Sequence, residues 1–257
     1  MKSFVLGTCC LLFVTFFTGL SAFAGLPDTI EHVKPAIVGI GTYQATRSQP
    51  LVLTGTGFAV ADGRHIVTNH HVVSTISDLR NGERYVVFVG HGTSSKIYSV
   101  KKVGLDEKHD LALLSFDGPA LPALTINSST RVREGGRYAF TGFPIGAVLG
   151  LYPVTHTGII SAITPFVTPM NSDRQLSAYH IKQLRDAKPY NVYQLDAVAY
   201  PGNSGSPLYD ISSGEVIGVM NSVLVKGTRE SALETPSGIS YAIPALYIKK
   251  LINGVSK

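Results

Sequence analysis

Gly202-Asn203-Ser204-Gly205-Ser206-Pro207 sets a serine among small, turn-forming residues. Glycines at such a turn allow positive φ and close backbone approach, so the serine hydroxyl and its neighbouring N–H groups can be aimed at one point. Taken alone, the composition is also that of an ordinary β-turn. Two upstream runs change its meaning: Thr68-Asn69-His70-His71-Val72-Val73 and Asp110-Leu111-Ala112-Leu113-Leu114 supply a histidine and then a carboxylate. The order His, Asp, Ser is one of the chain orders in which a nucleophilic serine triad occurs.

An alcohol is a poor nucleophile near neutral pH, and an imidazole, with an ordinary pKa of about 6.5, is suited to take its proton. His71 is the candidate base because it follows the β-rich run Arg64-His65-Ile66-Val67-Thr68, where a strand end delivers a side chain to a cleft; His70 competes with it. A carboxylate then fixes the tautomer and stabilises the imidazolium. Asp110 directly precedes an apolar strand, whereas Asp106 lies in polar surroundings and reads as a solvated turn residue. The N–H groups of Gly202 and Ser204 are the candidate oxyanion donors.

Outward from these motifs, the chain is a series of short β-rich runs broken by Gly, Pro, Asn or Asp, which predicts an all-β architecture. The first series is Ala36-Tyr43, Gly57-Val60, His65-Thr68, Tyr85-Val89, Tyr98-Val103 and Leu111-Phe116. After the polar segment Asn127-Gly136 the second follows at Tyr138-Phe143, Val154-Ile163, Val192-Val198, Ser206-Tyr209, Val216-Val223 and Ile239-Ala242. Two β-rich units, residues 25–130 and 131–257, are therefore expected. Apolar spacing from Leu246 to Ile252, ahead of Asn253-Gly254, predicts a C-terminal helix and its stop. Residues 173–187 are also helix-compatible, as a lid, a contact surface or an inert insertion.

Residues 1–24 read as a secretory signal: Lys2, an apolar run from Phe4 to Leu20, and Ala22-Phe23-Ala24 before Gly25. The run approaches the roughly 20 residues that span a bilayer, but its small-residue end marks cleavage, so export without stable membrane insertion is expected. The destination is periplasmic or extracellular. Both cysteines, Cys9 and Cys10, lie in the signal, so no disulfide is expected in the mature chain. The formal charge of +5, or +4 once Lys2 is removed, includes no long run of one sign. Lys101-Lys102 and Lys249-Lys250 read as solvated edges, and nucleic-acid binding is not expected. The histidines lack metal-ligand spacing, and neither a metal nor another cofactor is implied.

With the three motifs in order, the chain resembles the chymotrypsin-like serine peptidases, and especially the protease domain of the HtrA/Deg group. The resemblance runs through Gly55-Thr56-Gly57-Phe58, the histidine, aspartate and serine motifs, and Gly238-Ile239-Ser240-Tyr241-Ala242-Ile243-Pro244, covering roughly Val33 to Ile252. It implies two six-stranded antiparallel β-barrels with a C-terminal helix, His71 as base, Asp110 as its orienter and Ser204 as nucleophile. It further implies an endopeptidase that acts on protein or peptide substrates through an acyl-enzyme. A catalytically silent peptide-binding protein on the same fold is the alternative.

Departures from the family pattern are equally specific. The chain ends soon after the predicted helix, so no PDZ domain is expected. Ser206-Pro207 looks more like the secreted glutamyl endopeptidases than the Gly-Gly common in HtrA relatives. Trypsin-like digestive enzymes carry an aspartate before the serine, which pairs with a newly cut N-terminus; Asn203 stands there, so signal removal alone should yield a competent enzyme. Val198, Met220, Asn221 and Ser222 are the candidate substrate-binding residues. Without a charged residue at 198 or a histidine within 220–222, cleavage after small or medium apolar residues is expected.

Overall fold

The computed structural model describes residues 25–74, 82–90, 92–128, 132–144, 151–166, 189–221 and 238–255. The signal segment with its two cysteines, the stretch 173–187 and Ser222 lie outside the described residues.

Two closed antiparallel barrels follow one another along the chain. The first contains β1 (Ile37–Tyr43), β2 (Leu51–Val60), β3 (His65–Thr68), β4 (Arg84–Val89), β5 (Lys96–Asp106) and β6 (Leu111–Phe116), in spatial order β1-β2-β3-β6-β5-β4. The second contains β7 (Arg137–Gly142), β8 (Val154–Pro165), β9 (Asn191–Asp196), β10 (Pro207–Asp210), β11 (Val216–Asn221) and β12 (Ile239–Pro244), in order β10-β11-β12-β9-β8-β7. Each β-rich run of the sequence overlaps one strand, and the expected all-β class of two six-stranded barrels is observed. Closure pairs what would otherwise be sheet edges: Gly39 lies opposite Phe88 in the first barrel, and Leu208 opposite Phe140 in the second.

Among the described residues, three α-helices accompany the barrels: α1 (Leu26–Val33), α2 (His70–Ser74) and α3 (Ala245–Val255). The first two have no counterpart in the sequence reading. Asp28 accepts the Gly25 N–H at 3.0 Å, Pro27 sits in the first turn of α1, and buried Thr29 donates to the Ile211 carbonyl at 2.9 Å. The helix is thereby tied to the second barrel. The expected stop at Asn253-Gly254 is not observed, because α3 continues through both residues. Its last turn is held by packing, with Val255 and Leu251 side chains close to Gly104 of β5.

The barrels share an apolar seam because several strands bury both faces. Successive side chains on a strand point to opposite sides. On β7, Tyr138 and Phe140 fill the second barrel, while Ala139 joins a cluster continuous with Val38, Phe58, Leu111 and Leu113 of the first. On β10, Leu208 points into the second barrel and Tyr209 into that shared cluster. Ala245, Ile248 and Leu251 form the buried stripe of α3, which packs on β5, β6 and β11 and so bridges both barrels.

Inside the second barrel, His156 lies opposite Phe140 in register and stacks on its ring at 5.1 Å. Its Nε2 is buried without a hydrogen-bond partner among the described residues. Burial disfavours the charged imidazolium and holds the His156 pKa below the ordinary histidine value of 6.5. The unfolded chain therefore takes up this proton first as pH falls, so the stability present above 6.5 declines as pH drops from there toward the folded-state value. His156→Leu should flatten the fall in unfolding free energy on acidification below about pH 6.5, measured by urea denaturation at a series of pH values.

Candidate active site

His71 lies in the first turn of α2, immediately after β3 and Asn69, rather than at a strand end. Asp110 anchors this turn. Its carbonyl accepts the His70 N–H at 3.1 Å and Asn69 Nδ2–H at 3.0 Å, while Oδ1 accepts the His71 N–H at 2.8 Å. Two N–H groups at the start of the short helix, which have no partner within it, are satisfied in this way. The same carboxylate reaches the His71 ring, with Oδ2 at 2.6 Å from Nδ1. His71 and Asp110 are thus joined through both backbone and side chain.

Asp110 has φ +51°, one of two positive-φ non-glycine residues among those described. Left-handed backbone costs an L-residue about 1–2 kcal/mol, although aspartate tolerates it better than most residues. The cost is offset here by the hydrogen bonds that its carbonyl and carboxylate accept. The preceding turn is held from outside. Asp106 accepts the His109 N–H at 3.1 Å and lies 2.6 Å from His109 Nδ1, so it is not the solvated residue expected from its polar neighbours. The His109 ring stacks on Tyr247 of α3 at 3.8 Å and meets Tyr190 edge-on at 4.6 Å. Burial and the nearby Asp110 carboxylate push the Tyr190 hydroxyl pKa well above its usual value.

His70 occupies a different environment. Its Nε2 lies 4.0 Å from the exposed Glu107 carboxylate, and its backbone, not its ring, bonds Asp110. The neighbouring histidines are therefore distinguished by one helical residue step, which turns only the second ring to Asp110.

Ser204 is buried, with 3% exposure, in a turn containing two positive-φ glycines, Gly202 at +100° and Gly205 at +88°. The turn is bonded on every side. Asn203 N–H donates to the Tyr200 carbonyl at 2.9 Å, Ser206 N–H to Asn203 at 3.0 Å, and Gly205 N–H to Met220 at 3.0 Å. From the first barrel, Thr56 N–H donates to the Ser204 carbonyl at 2.8 Å and Thr56 Oγ1–H to the Gly202 carbonyl at 2.6 Å. A Cβ at Gly205 would fall 2.0 Å from the Thr56 carbonyl oxygen, so the approach of the barrels requires glycine here. A Cβ on Gly55 would touch both Val72, next to His71, and the Ser204 carbonyl, which places the two motifs on either side of one glycine.

The candidate substrate residues separate in the structure. Val198 is half-buried in the segment leading to the serine turn. Met220 points into the second-barrel core and is fully buried, and its backbone holds Gly205 and Ser206. Asn221, expected in the substrate wall, donates Nδ2–H to Asp110 Oδ2 at 2.7 Å. Its amide therefore crosses the seam and supports the carboxylate. Asn69, Thr56 and Thr68, whose hydroxyl donates to the Thr56 carbonyl at 2.7 Å, escaped the sequence reading. Asn69 and Thr68 sit inside the quoted histidine motif and Thr56 inside Gly55-Thr56-Gly57-Phe58, but motif membership does not reveal a bonding direction.

Asp110, joined to both His71 and Asn221, forms a set that can orient an imidazole as a base. No group of three or more His, Cys, Asp or Glu side chains suited to a metal occurs among the described residues.

Similarity to known proteins follows the same residues. A family model for a trypsin-like peptidase domain matches residues 55–219. The chain is 32% identical over 235 residues to a probable periplasmic serine endoprotease, DegP-like, from Chlamydia trachomatis, covering 90% of this chain and 37% of that protein. It is 32% identical over 231 residues to serine protease HTRA1A of Danio rerio, covering 88% and 40%. The chain thus spans well under half the length of these curated relatives. Among solved structures, a serine endoprotease from Yersinia pestis is 27% identical with a TM-score of 0.61, over 90% of this chain and 66% of that one. An HtrA-type protease, AlgW, with a tripeptide shares the fold at 23% identity and a TM-score of 0.61, over 90% and 64%. The paired barrels, the seam that gathers the three motifs and the match from Gly55 to Val219 show that the chain belongs to the trypsin-like peptidase domain family.

Proposed function

We propose that the chain is a serine endopeptidase acting by acyl transfer. Ser204 Oγ attacks the substrate carbonyl, His71 takes the hydroxyl proton and later delivers it to the leaving amine, and Asp110 orients and stabilises the imidazolium. The N–H groups of Gly202 and Ser204 hold the oxyanion, and water releases the acyl group. The observation that carries this reading is the 2.6 Å contact between His71 Nδ1 and Asp110 Oδ2 in the first barrel, across the seam from the buried Ser204 turn of the second. The names of the relatives, serine endoprotease and serine protease, support it.

The substrate is a protein or peptide laid along the cleft between the barrels, with Val198 in the wall that receives the side chain before the cleaved bond. Val198 is apolar, so a cationic side chain gains no ion pair from it, and small or medium apolar residues are preferred. No organic cofactor or metal takes part. Residues 1–24 direct export to the periplasm or beyond, in keeping with the periplasmic names among the relatives. No described helix is long and apolar enough to cross a membrane.

Processing at Gly25 is sufficient for activity in this reading. Asn203 is fully buried and uncharged, so it offers no ion-pair partner to a new N-terminus. Gly25 N–H is held at its own helix by Asp28. Protein beginning at Gly25 should hydrolyse casein without further cutting, and a preparation that stays inert until cleaved again would contradict this.

Ser204→Ala and His71→Ala should each lower kcat/KM by at least about 10,000-fold, whereas His70→Ala should stay close to wild type. Fluorophosphonate labelling of wild type at Ser204, lost in Ser204→Ala with the fold retained by circular dichroism, provides the parallel check. Equal hydrolysis by wild type and Ser204→Ala would reject the mechanism. Asn221→Ala removes a hydrogen bond to a charged group and should lower kcat by about 10- to 100-fold with KM little changed. Asn221→Asp, which sets a second carboxylate against Asp110, should lower it further at neutral pH.

A further inference from the structure

Gly202 is the donor residue of the serine turn least restrained by its own side chain. Its φ of +100° is accessible to glycine at no steric cost, and so are the alternatives that would swing its peptide groups elsewhere. Restraint must come from a neighbour. One such neighbour is Thr56 of β2, a fully buried residue of the other barrel. Its hydroxyl accepts the Phe143 N–H at 3.0 Å, which occupies a lone pair and directs its single proton to the Gly202 carbonyl at 2.6 Å. Its main chain is bound as well, the N–H to the Ser204 carbonyl at 2.8 Å and the carbonyl by Thr68 Oγ1 at 2.7 Å.

We propose that the Thr56 hydroxyl is a positioning residue for the oxyanion turn, locking the Gly202 carbonyl so that the N–H groups of Gly202 and Ser204 point into the cleft. The inference rests on the serine-peptidase reading for its catalytic consequence, but not for the lock itself. Without the hydroxyl, the half-buried Gly202 carbonyl and the buried Phe143 N–H both lose a partner, and the peptide after Gly202 keeps the Asn203 N–H bond to Tyr200 but loses the restraint on its carbonyl. The first barrel therefore does more than supply His71 and Asp110: through Thr56 it sets the shape of a turn that belongs to the second.

The test compares Thr56→Val, which keeps the shape and removes the hydroxyl, with Thr56→Ser, which keeps the hydroxyl. Thr56→Val should lose at least tenfold in kcat, approaching the roughly 100- to 1,000-fold seen when an oxyanion donor is removed, with KM little changed. Affinity for a peptide boronate should fall by a similar factor, and Thr56→Ser should recover most of both. Amide hydrogen exchange of a peptide spanning residues 198–208 gives a readout independent of turnover: faster in Thr56→Val, near wild type in Thr56→Ser. Thr56→Ala, which introduces no added bulk, answers the same question should valine disturb folding. Wild-type exchange and kcat in the hydroxyl-free variants would overturn the proposal. A wild-type protein that neither hydrolyses peptides nor labels at Ser204 would instead overturn the peptidase reading, leaving the exchange comparison to decide the lock.

Discussion

Hydrogen bonds across the seam between the barrels hold the site in one piece. Thr56 of the first barrel binds the Ser204 and Gly202 carbonyls, and Asn221 of the second binds the Asp110 carboxylate. Neither barrel alone contains the arrangement. A small separation would unpair buried carbonyls on one side and leave a partly buried carboxylate short of a donor on the other, so the apolar packing of β7, β10 and β11 against the first barrel is coupled to the chemistry.

Asp110 concentrates this coupling. Its left-handed backbone is uncommon outside glycine, yet the carbonyl closes the start of α2 while the carboxylate reaches His71 and Asn221. Strained backbone of this kind persists where surrounding bonds over-determine it. The turn from Asp106 to Asp110 places three carboxylates beside three histidines: Asp106 with His109, Glu107 with His70, and Asp110 with His71. Only the last pair faces Asn221. His109, held between Tyr190 and Tyr247, carries the support outward to α3, so the C-terminal helix contributes to the site without touching its reacting groups.

Much of the architecture is legible in the amino-acid sequence. Twelve β-rich runs separated by turn residues mark the twelve strands, because alternating or continuous apolar patterns record which faces are buried. The helices were less legible. Five residues from His70 are too few to show helical periodicity, and α2 forms because Asp110, some forty positions away, supplies the partners for its first N–H groups. The continuation of α3 through Asn253 and Gly254 likewise depends on packing at Gly104, against the local stop signal.

For the site, local chemistry determined which residue types were available: a serine in a glycine turn, histidines after a strand, an aspartate before another, and no charged side chain at position 198. Tertiary structure decided their relations. It turned His71 rather than His70 toward Asp110, gave Asp106 to His109, withdrew Met220 into the second barrel, and directed the Asn221 amide and the Thr56 hydroxyl across the seam. A sequence motif specifies what a side chain can donate or accept. Its partner is chosen only when two barrels, each closed on its own hydrogen bonds, come together through their apolar faces and bring distant polar groups within bonding distance.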